Sequence, residues 1–177
     1  PIMRGKDNDQ YLHSDINKKY SVSGSIFMDY RNSADFSDFN TIIYGHHMHD
    51  GSMFKSLRGY TKETDYYKDH KTFELITPDK KYHLQIISSY ITPATSDAYK
   101  YSFNNQADKQ AFINYAIKNS KISTGITATT NDKIITLSTC AYDYDEARYV
   151  VVCKAIPWTK EEIKAGKKLQ AKLDKQK

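Results

Sequence analysis

The chain has 177 residues, of which 39% are hydrophobic and 27% are charged, and this composition is typical of one globular domain and excludes disordered or fibrous proteins. Its apolar runs, such as Val150–Val152, are too short to span a bilayer. The net charge is +5, but residues 159–177 contain seven lysines against three acidic residues, so residues 1–158 carry only +1. A nucleic-acid-binding protein presents basic charge on a docking face of its folded body, so we expect no nucleic-acid partner.

The first half of the chain predicts a helix, two strands and then a second, short helix. Apolar residues at helical spacing predict that the N-terminal segment of about 7–19 is helical. Residues 21–30 are predicted as a strand, and residues 41–44 as a buried strand that ends at Gly45. A short helix capped by Ser52 is expected next.

The second half is richer in strands. Further strands are predicted over residues 72–77, 81–92, 133–141 and 147–156. A helix is predicted from Gln106 to Asn119, with Asn105 as its cap. Strands dominate and a few helices are inserted between them, which favours a mainly β fold, a closed or nearly closed barrel formed by residues 1–158. The charged tail, residues 159–177, is predicted to be helical or frayed.

The last two predicted strands bring a thiol and a guanidinium together. If they pair as an antiparallel hairpin, Cys140 lies opposite Arg148, with Cβ atoms roughly 4.5–5.5 Å apart on one face. A cation so close favours a thiolate, and the donors of a guanidinium can also hold an oxyanion. The same register places Cys153 about 16 Å further along the strand, so we expect no disulfide. Cys153 is predicted to fill the core.

His46 is the candidate general base. It follows Gly45 at the end of a buried strand, where functional side chains concentrate because a rigid element meets a loop. A histidine beside a cysteine can stabilise the thiolate and can protonate a leaving amine. Sequence spacing does not bring His46 to Cys140, so their proximity stays open at this point.

Four stretches of sequence carry a family resemblance: Gly24–Asp29, Ile43–Phe54, Thr136–Cys140 and Ala147–Val151. Together and in this order, over about residues 8–156, they resemble class B sortases, which are cysteine transpeptidases of the Gram-positive cell surface. The resemblance implies a closed eight-stranded sortase-type β-barrel with N-terminal helices and a helix inserted before the catalytic cysteine strand. The tail, residues 159–177, lies outside the resemblance.

The resemblance also implies the roles of the site residues. Cys140 is expected to be the nucleophile, His46 the general acid/base and Arg148 the group that stabilises the transition state. The residues expected to contact substrate are Asn8, Leu12, Ser138 and, in the loop 95–101, Tyr99. No cofactor and no metal are implied.

The implied reaction joins a surface protein to the cell wall. The enzyme would cleave a C-terminal sorting motif with a Pro-x-Thr core at the Thr carbonyl, through a thioacyl intermediate. It would then transfer the acyl group to an amine of a peptidoglycan precursor or to a pilin lysine. The expected location is the extracellular face of the membrane. Because the chain begins with Pro1 and not Met, we expect an anchoring segment to have been removed.

Three alternatives remain open from the residues alone. A plain cysteine peptidase would share the first half-reaction and release an acid. A non-enzymatic surface-binding module would use the 15 tyrosines and leave the thiol inert. A metal site formed by His46, His47 and His49 is disfavoured because adjacent side chains point apart and no partner at fixed spacing follows.

Overall fold

The computed structural model describes residues 1–63, 65–141 and 143–174, so residues 175–177 of the predicted tail lie outside the described residues. The strands are β1 (Met3–Arg4), β2 (Phe27–Met28), β3 (Asn40–Tyr44), β4 (Thr72–Ile76), β5 (Lys81–Pro93), β6 (Lys133–Cys140) and β7 (Ala147–Pro157). The α-helices are α1 (Gly59–Lys62), α2 (Tyr66–Asp69), α3 (Gln106–Asn119) and α4 (Lys160–Asp174). Short 3₁₀ turns lie at Lys55–Arg58 and Asp97–Tyr99. None of the described helices is long and apolar enough to cross a membrane.

The strands form one sheet in the order β1-β2-β3-β6-β7-β5-β4. The pairs β1–β2 and β3–β6 are parallel, and the other neighbours are antiparallel. The prediction of a closed eight-stranded barrel is not met within the described residues, where seven strands form an open sheet with β1 and β4 at its edges. The strand predicted over residues 21–30 is shorter than expected: it is limited to the two residues of β2, and the chain turns before it at Gly24, which has a φ of 56°.

The N-terminal segment 7–19 is not helical, so that prediction is wrong. Asp7 and Asp15 each accept two backbone N–H bonds, at 2.8–3.1 Å, from amides two to four residues further on. Short acidic side chains compete in this way with helical backbone bonds, and the segment becomes a series of turns. The backbone oxygen of Tyr11 accepts a bond from the amide of Ser25 at 3.0 Å, and this bond holds the turns against the segment that leads into β2.

The strands β4, β5, β6 and β7 and the helix α3 agree with the predicted elements to within one residue at each end. The short helix predicted with Ser52 as its cap is wrong in its position and its cap, because the chain forms a 3₁₀ turn at Lys55–Arg58 that has no side-chain cap. Helix α3 has its predicted bounds, and the side chain of Asn105 accepts the backbone N–H of Asp108 at 3.0 Å as its cap. The sheet is buried on both faces because its central strands are apolar at consecutive positions. In β7, Val151 and Cys153 enter one core, whereas Val150 and Val152 enter a second core that α3 covers.

Candidate active site

A cleft of about 440 Å³ lies where β3 and β6 end, beside the N-terminal turns and the start of β7. All seven residues singled out in the sequence line it: Asn8, Leu12, His46, Tyr99, Ser138, Cys140 and Arg148. They come from five separate parts of the chain, so the fold brings together what the sequence keeps apart.

Cys140 and Arg148 face each other across the last hairpin. Their Cα atoms are register partners in β6 and β7, as predicted, and the same register pairs Ile135 with Cys153. Both cysteines are free thiols; Cys140 is half-buried and Cys153 is fully buried. Burial raises the pKa of the Cys153 thiol, so it stays protonated and acts as core. Of the two thiols, Cys140 is therefore the one that is open to the cleft.

The guanidinium of Arg148 already holds two acceptors. Its Nη2 donates to Oε2 of Glu146 at 3.0 Å, and its Nη1 donates to the backbone oxygen of Ala147 at 2.9 Å. These bonds use two of the five N–H donors of an arginine. The side chain is fixed at the cleft and keeps donors for a further oxygen atom.

His46 is held by the N-terminal turns. Its Nε2 lies 2.6 Å from the backbone oxygen of Leu12, and since a carbonyl only accepts, Nε2 carries the hydrogen. The other nitrogen, Nδ1, is then the one that can take up or release a proton. The preceding Gly45 is required sterically, because a Cβ there would lie 2.8 Å from the ring of Phe54. A second imidazole, that of His13, lies with its centroid 5.6 Å from that of His46.

Two hydroxyls form one wall of the cleft. The hydroxyls of Tyr99 and Ser138 are 2.8 Å apart, and the ring of Tyr99 stacks on Tyr44 at 6.1 Å between centroids. Tyr44 is the register partner of Ser138 in the parallel pair β3–β6, so both side chains lie on the same face of the sheet. Burial raises the pKa of Tyr99 to about 12, which keeps this hydroxyl neutral.

Asn8 lines the cleft, and its side-chain amide donates to the buried carboxylate of Asp29. Asp29 is fully buried and accepts bonds from the side chains of Asn8 at 3.1 Å, Tyr44 at 2.9 Å and Arg31 at 2.7 Å. Burial alone would raise the pKa of Asp29, but the bonds from Arg31, Tyr44 and Asn8 outweigh it and the pKa is lowered. Asp29 is thus a charged anchor that fixes two lining side chains.

Sequence reasoning missed several residues of this cleft. Tyr44, His13 and Phe27 line it without having been singled out, and Asp29 supports it from below. Position offered a signal for Tyr44, which directly precedes Gly45 and His46 at the end of a buried strand. No sequence signal indicated the supporting role of Asp29, because its hydrogen-bond partners come together only in the tertiary structure.

Within the described residues, no three side chains of the His, Cys, Asp and Glu types are grouped so that they could hold a metal ion. The adjacent imidazoles of His46 and His47 bond to different backbone oxygens, those of Leu12 and Cys140. Their nitrogens therefore do not converge on one point.

The family model described as "Sortase domain" matches residues 1–156. Sortase B of Staphylococcus aureus is 39% identical over 158 residues, a match that covers 88% of this chain. The chain belongs to the sortase B family. Sortase B of Listeria monocytogenes is also 39% identical, over 160 residues and 88% of this chain. The chain spans 64% of the length of each of these curated relatives.

The sortase fold is evident in the coordinates as well. The crystal structure of Staphylococcus aureus sortase B superposes with a TM-score of 0.83 at 39% identity, covering 90% of this chain and 76% of that one. Sortase B from Listeria monocytogenes superposes with a TM-score of 0.79 at 38% identity, covering 87% of this chain and 85% of that one. Helix α4 begins at Lys160, beyond the residues that the sortase family model matches.

Proposed function

We propose that this sortase domain is a cysteine transpeptidase that cuts a C-terminal sorting motif of surface proteins at its Thr carbonyl. The acyl group would pass to an amine of a peptidoglycan precursor or to a pilin lysine. The single observation that supports this is that Cys140, His46 and Arg148, from three distant parts of the chain, line one cleft. A nucleophile, an acid/base and an oxyanion donor are the three groups that acyl transfer needs.

The first half-reaction forms a thioester. The thiolate of Cys140 attacks the Thr carbonyl carbon, and the N–H donors of Arg148 hold the oxygen as it becomes negative. His46 gives a proton from Nδ1 to the leaving amine as the C–N bond breaks, while its Nε2 stays bonded to Leu12. The substrate carbonyl carbon is then bonded to Sγ, and the C-terminal fragment leaves as an amine.

The second half-reaction forms an amide. An incoming amine attacks the thioester carbon, and Nδ1 of His46, now unprotonated, takes up the proton that the amine loses. The C–S bond breaks and the thiolate of Cys140 returns. A cleft that admits an amine better than water gives an amide; one that does not gives a free acid.

The remaining lining residues are proposed to bind the motif. Leu12 offers an apolar contact, and Asn8, Tyr99 and Ser138 offer an amide and two hydroxyls for the peptide backbone. Asn8 and Tyr99 are held by Asp29 and Ser138, so they meet a substrate already oriented. Preorganisation of this kind lowers the entropy cost of binding.

Structures of the relatives indicate which ligands to test first. Staphylococcus aureus sortase B, 38% identical to this chain, has been solved as a substrate complex, and a sortase B at the same identity has been solved in complex with triglycine. A glycine peptide is therefore the first acceptor to test for this chain. We propose that the chain acts at the extracellular face of the membrane, where surface proteins meet cell-wall precursors, and without a cofactor or a nucleic-acid partner.

The test is a panel of Pro-x-Thr peptides, incubated with and without triglycine and followed by mass spectrometry. A ligated amide that requires Cys140 supports the transpeptidase. Free acid alone, unchanged by the amine, would show a plain cysteine peptidase instead. If Cys140 forms no adduct with a thiol-reactive sorting-peptide mimic, the enzyme proposal fails and a binding module remains. His46→Ala should lower turnover by about 10²–10⁴-fold, the usual contribution of general acid/base catalysis.

A further inference from the structure

The parallel pairing of β3 with β6 stops two residues before Cys140. Its last register partners are Tyr44 and Ser138, and the amide of Gly45 donates to the oxygen of Ser138 at 3.1 Å. In a parallel ladder the bonds repeat every second residue, so the next would join the amide of residue 47 to the oxygen of Cys140. That oxygen is reached instead by Nδ1 of the His47 imidazole, at 3.0 Å.

The chain leaves β6 at this point because it pairs elsewhere. His47 forms an isolated antiparallel bridge with Met53, and the amide of Phe54 donates to the oxygen of His46 at 2.9 Å. The half-buried His47 ring reaches back beside Tyr149, 5.8 Å between centroids. Since a carbonyl only accepts, Nδ1 carries the hydrogen and the side chain takes over a bond that backbone would otherwise make.

We propose that His47 is a positioning residue that fixes the separation of its neighbour His46 from Cys140. This role rests on the proposed function. The bond from His47 ties the loop that carries the acid/base to the strand end that carries the nucleophile, and the bond from His46 to Leu12 orients the ring from the other side. Proton transfer in the reaction needs this geometry, and a misplacement of about 1 Å costs on the order of 10²-fold in rate.

Three substitutions separate the bond from the bulk of the ring. His47→Leu removes the donor and should lower kcat about 10²-fold with little change in KM, because His47 is not among the residues that line the cleft. His47→Asn places an amide N–H near the position of Nδ1 and should restore most of kcat. His47→Gln places it near Nε2 and should behave like His47→Leu. The matched control is His49→Leu, an exposed imidazole in the same loop, which should leave kcat unchanged.

A double substitution tests whether the role acts through His46. In a His46→Ala background, His47→Leu should cause no further loss, because there is no longer an acid/base to position. Fully multiplicative losses would overturn the proposal, as would an unimpaired His47→Leu or a His47→Asn no better than His47→Gln.

Melting temperatures identify variants that fail to fold. If His47→Leu fails to fold, the comparison of the Asn and Gln variants decides alone. If the unmodified protein has no turnover, the proposed function itself is overturned and this role falls with it. If it turns over and His47→Leu is unimpaired, only this role is lost.

Discussion

The guanidinium of Arg148 is bonded to the carboxylate of Glu146, with 3.0 Å between Nη2 and Oε2. The Glu146 side chain is 76% exposed, so the pair is weak and substrate can replace it. We expect Arg148→Lys to lower kcat/KM by about 10²–10³-fold, the usual cost of losing an oxyanion donor, because an ammonium lacks the planar fork of N–H groups. Peptide cleavage kinetics measure this.

Glu146→Gln is the control for that prediction. It removes the charge of the competing acceptor and leaves Arg148 intact, so KM should fall or stay unchanged. The melting temperature should barely move, since an exposed ion pair contributes about 0–1 kcal/mol. If Arg148→Lys were as active as the unmodified protein, Arg148 would have no part in stabilising the oxyanion.

The hairpin that carries Cys140 and Arg148 was predictable because its register depends on local sequence. A short loop joins two strands of strong β pattern, and that fixes which residues face each other. The position of His46 relative to Cys140 was not predictable in this way, since about half of the chain separates β3 from β6. Its position at the end of a buried strand made His46 a candidate and the family resemblance implied its role, whereas its bond to Leu12 emerged only from the tertiary structure.

The N-terminal segment shows why periodicity misled. Its apolar residues are spaced as in a helix, but Asp7 and Asp15 bond to nearby backbone amides and stabilise turns instead. The strand predicted over residues 21–30 is shorter than expected for a related reason, because the chain turns at Gly24 inside it. In both segments, the hydrogen bonds of single acidic side chains or the backbone conformation of one glycine outweighed the hydrophobic periodicity.

The hydroxyl bond between Tyr99 and Ser138 gives a second prediction. Tyr99→Phe should raise KM about fivefold, which corresponds to about 1 kcal/mol for one hydrogen bond. Ser138→Ala should do the same, and the double variant should be little worse than either, because both remove one bond. Burial raises the pKa of Tyr99 to about 12, so ionisation of this hydroxyl should not change KM between neutral pH and about pH 10. Additive losses in the double variant would mean that the bond between the two hydroxyls does not couple their contacts with substrate.

Asp29 beneath the cleft gives a third prediction, on stability. Asp29→Asn turns an acceptor into a donor that faces the donors of Asn8 and Tyr44, and should cost about 2–3 kcal/mol in urea unfolding. The folded pKa of Asp29 is lowered, so its contribution is complete above the unfolded value of about 3.9 and is lost as pH falls through the folded value. The exposed Asp35→Asn should change stability little. Equal effects of the two substitutions would contradict the anchoring role.

The two thiols give a fourth prediction. In the folded protein, iodoacetamide should add once, at Cys140, because Cys153 is fully buried and its pKa is raised. In denaturant it should add twice. Intact mass measures both, and Cys140→Ala should take up no label while folded. A second adduct on the folded protein would show that the core around Cys153 opens.

Helix α4 is joined to the body by a stacked and charged contact. His83 bonds to Glu74 through Nδ1 at 2.6 Å and to Glu162 of α4 through Nε2 at 2.9 Å. Its ring stacks on Trp158 at 5.3 Å, and the indole N–H donates to Glu74 at 2.8 Å. Carboxylate oxygens only accept, so both ring nitrogens carry hydrogen and the ring is an imidazolium.

The last prediction is that this contact loosens as pH rises. The bonds that His83 donates to Glu162 and Glu74 raise the pKa of its imidazole, so its stabilisation is complete below the unfolded value of about 6.5 and is lost as pH rises through the folded value. Trp158 is the single tryptophan, so its fluorescence should titrate with a midpoint above about 6.5 while α4 detaches. His83→Gln should abolish that transition, and His49→Gln should preserve it. A midpoint at or below the unfolded value would show that the carboxylates do not hold the imidazolium.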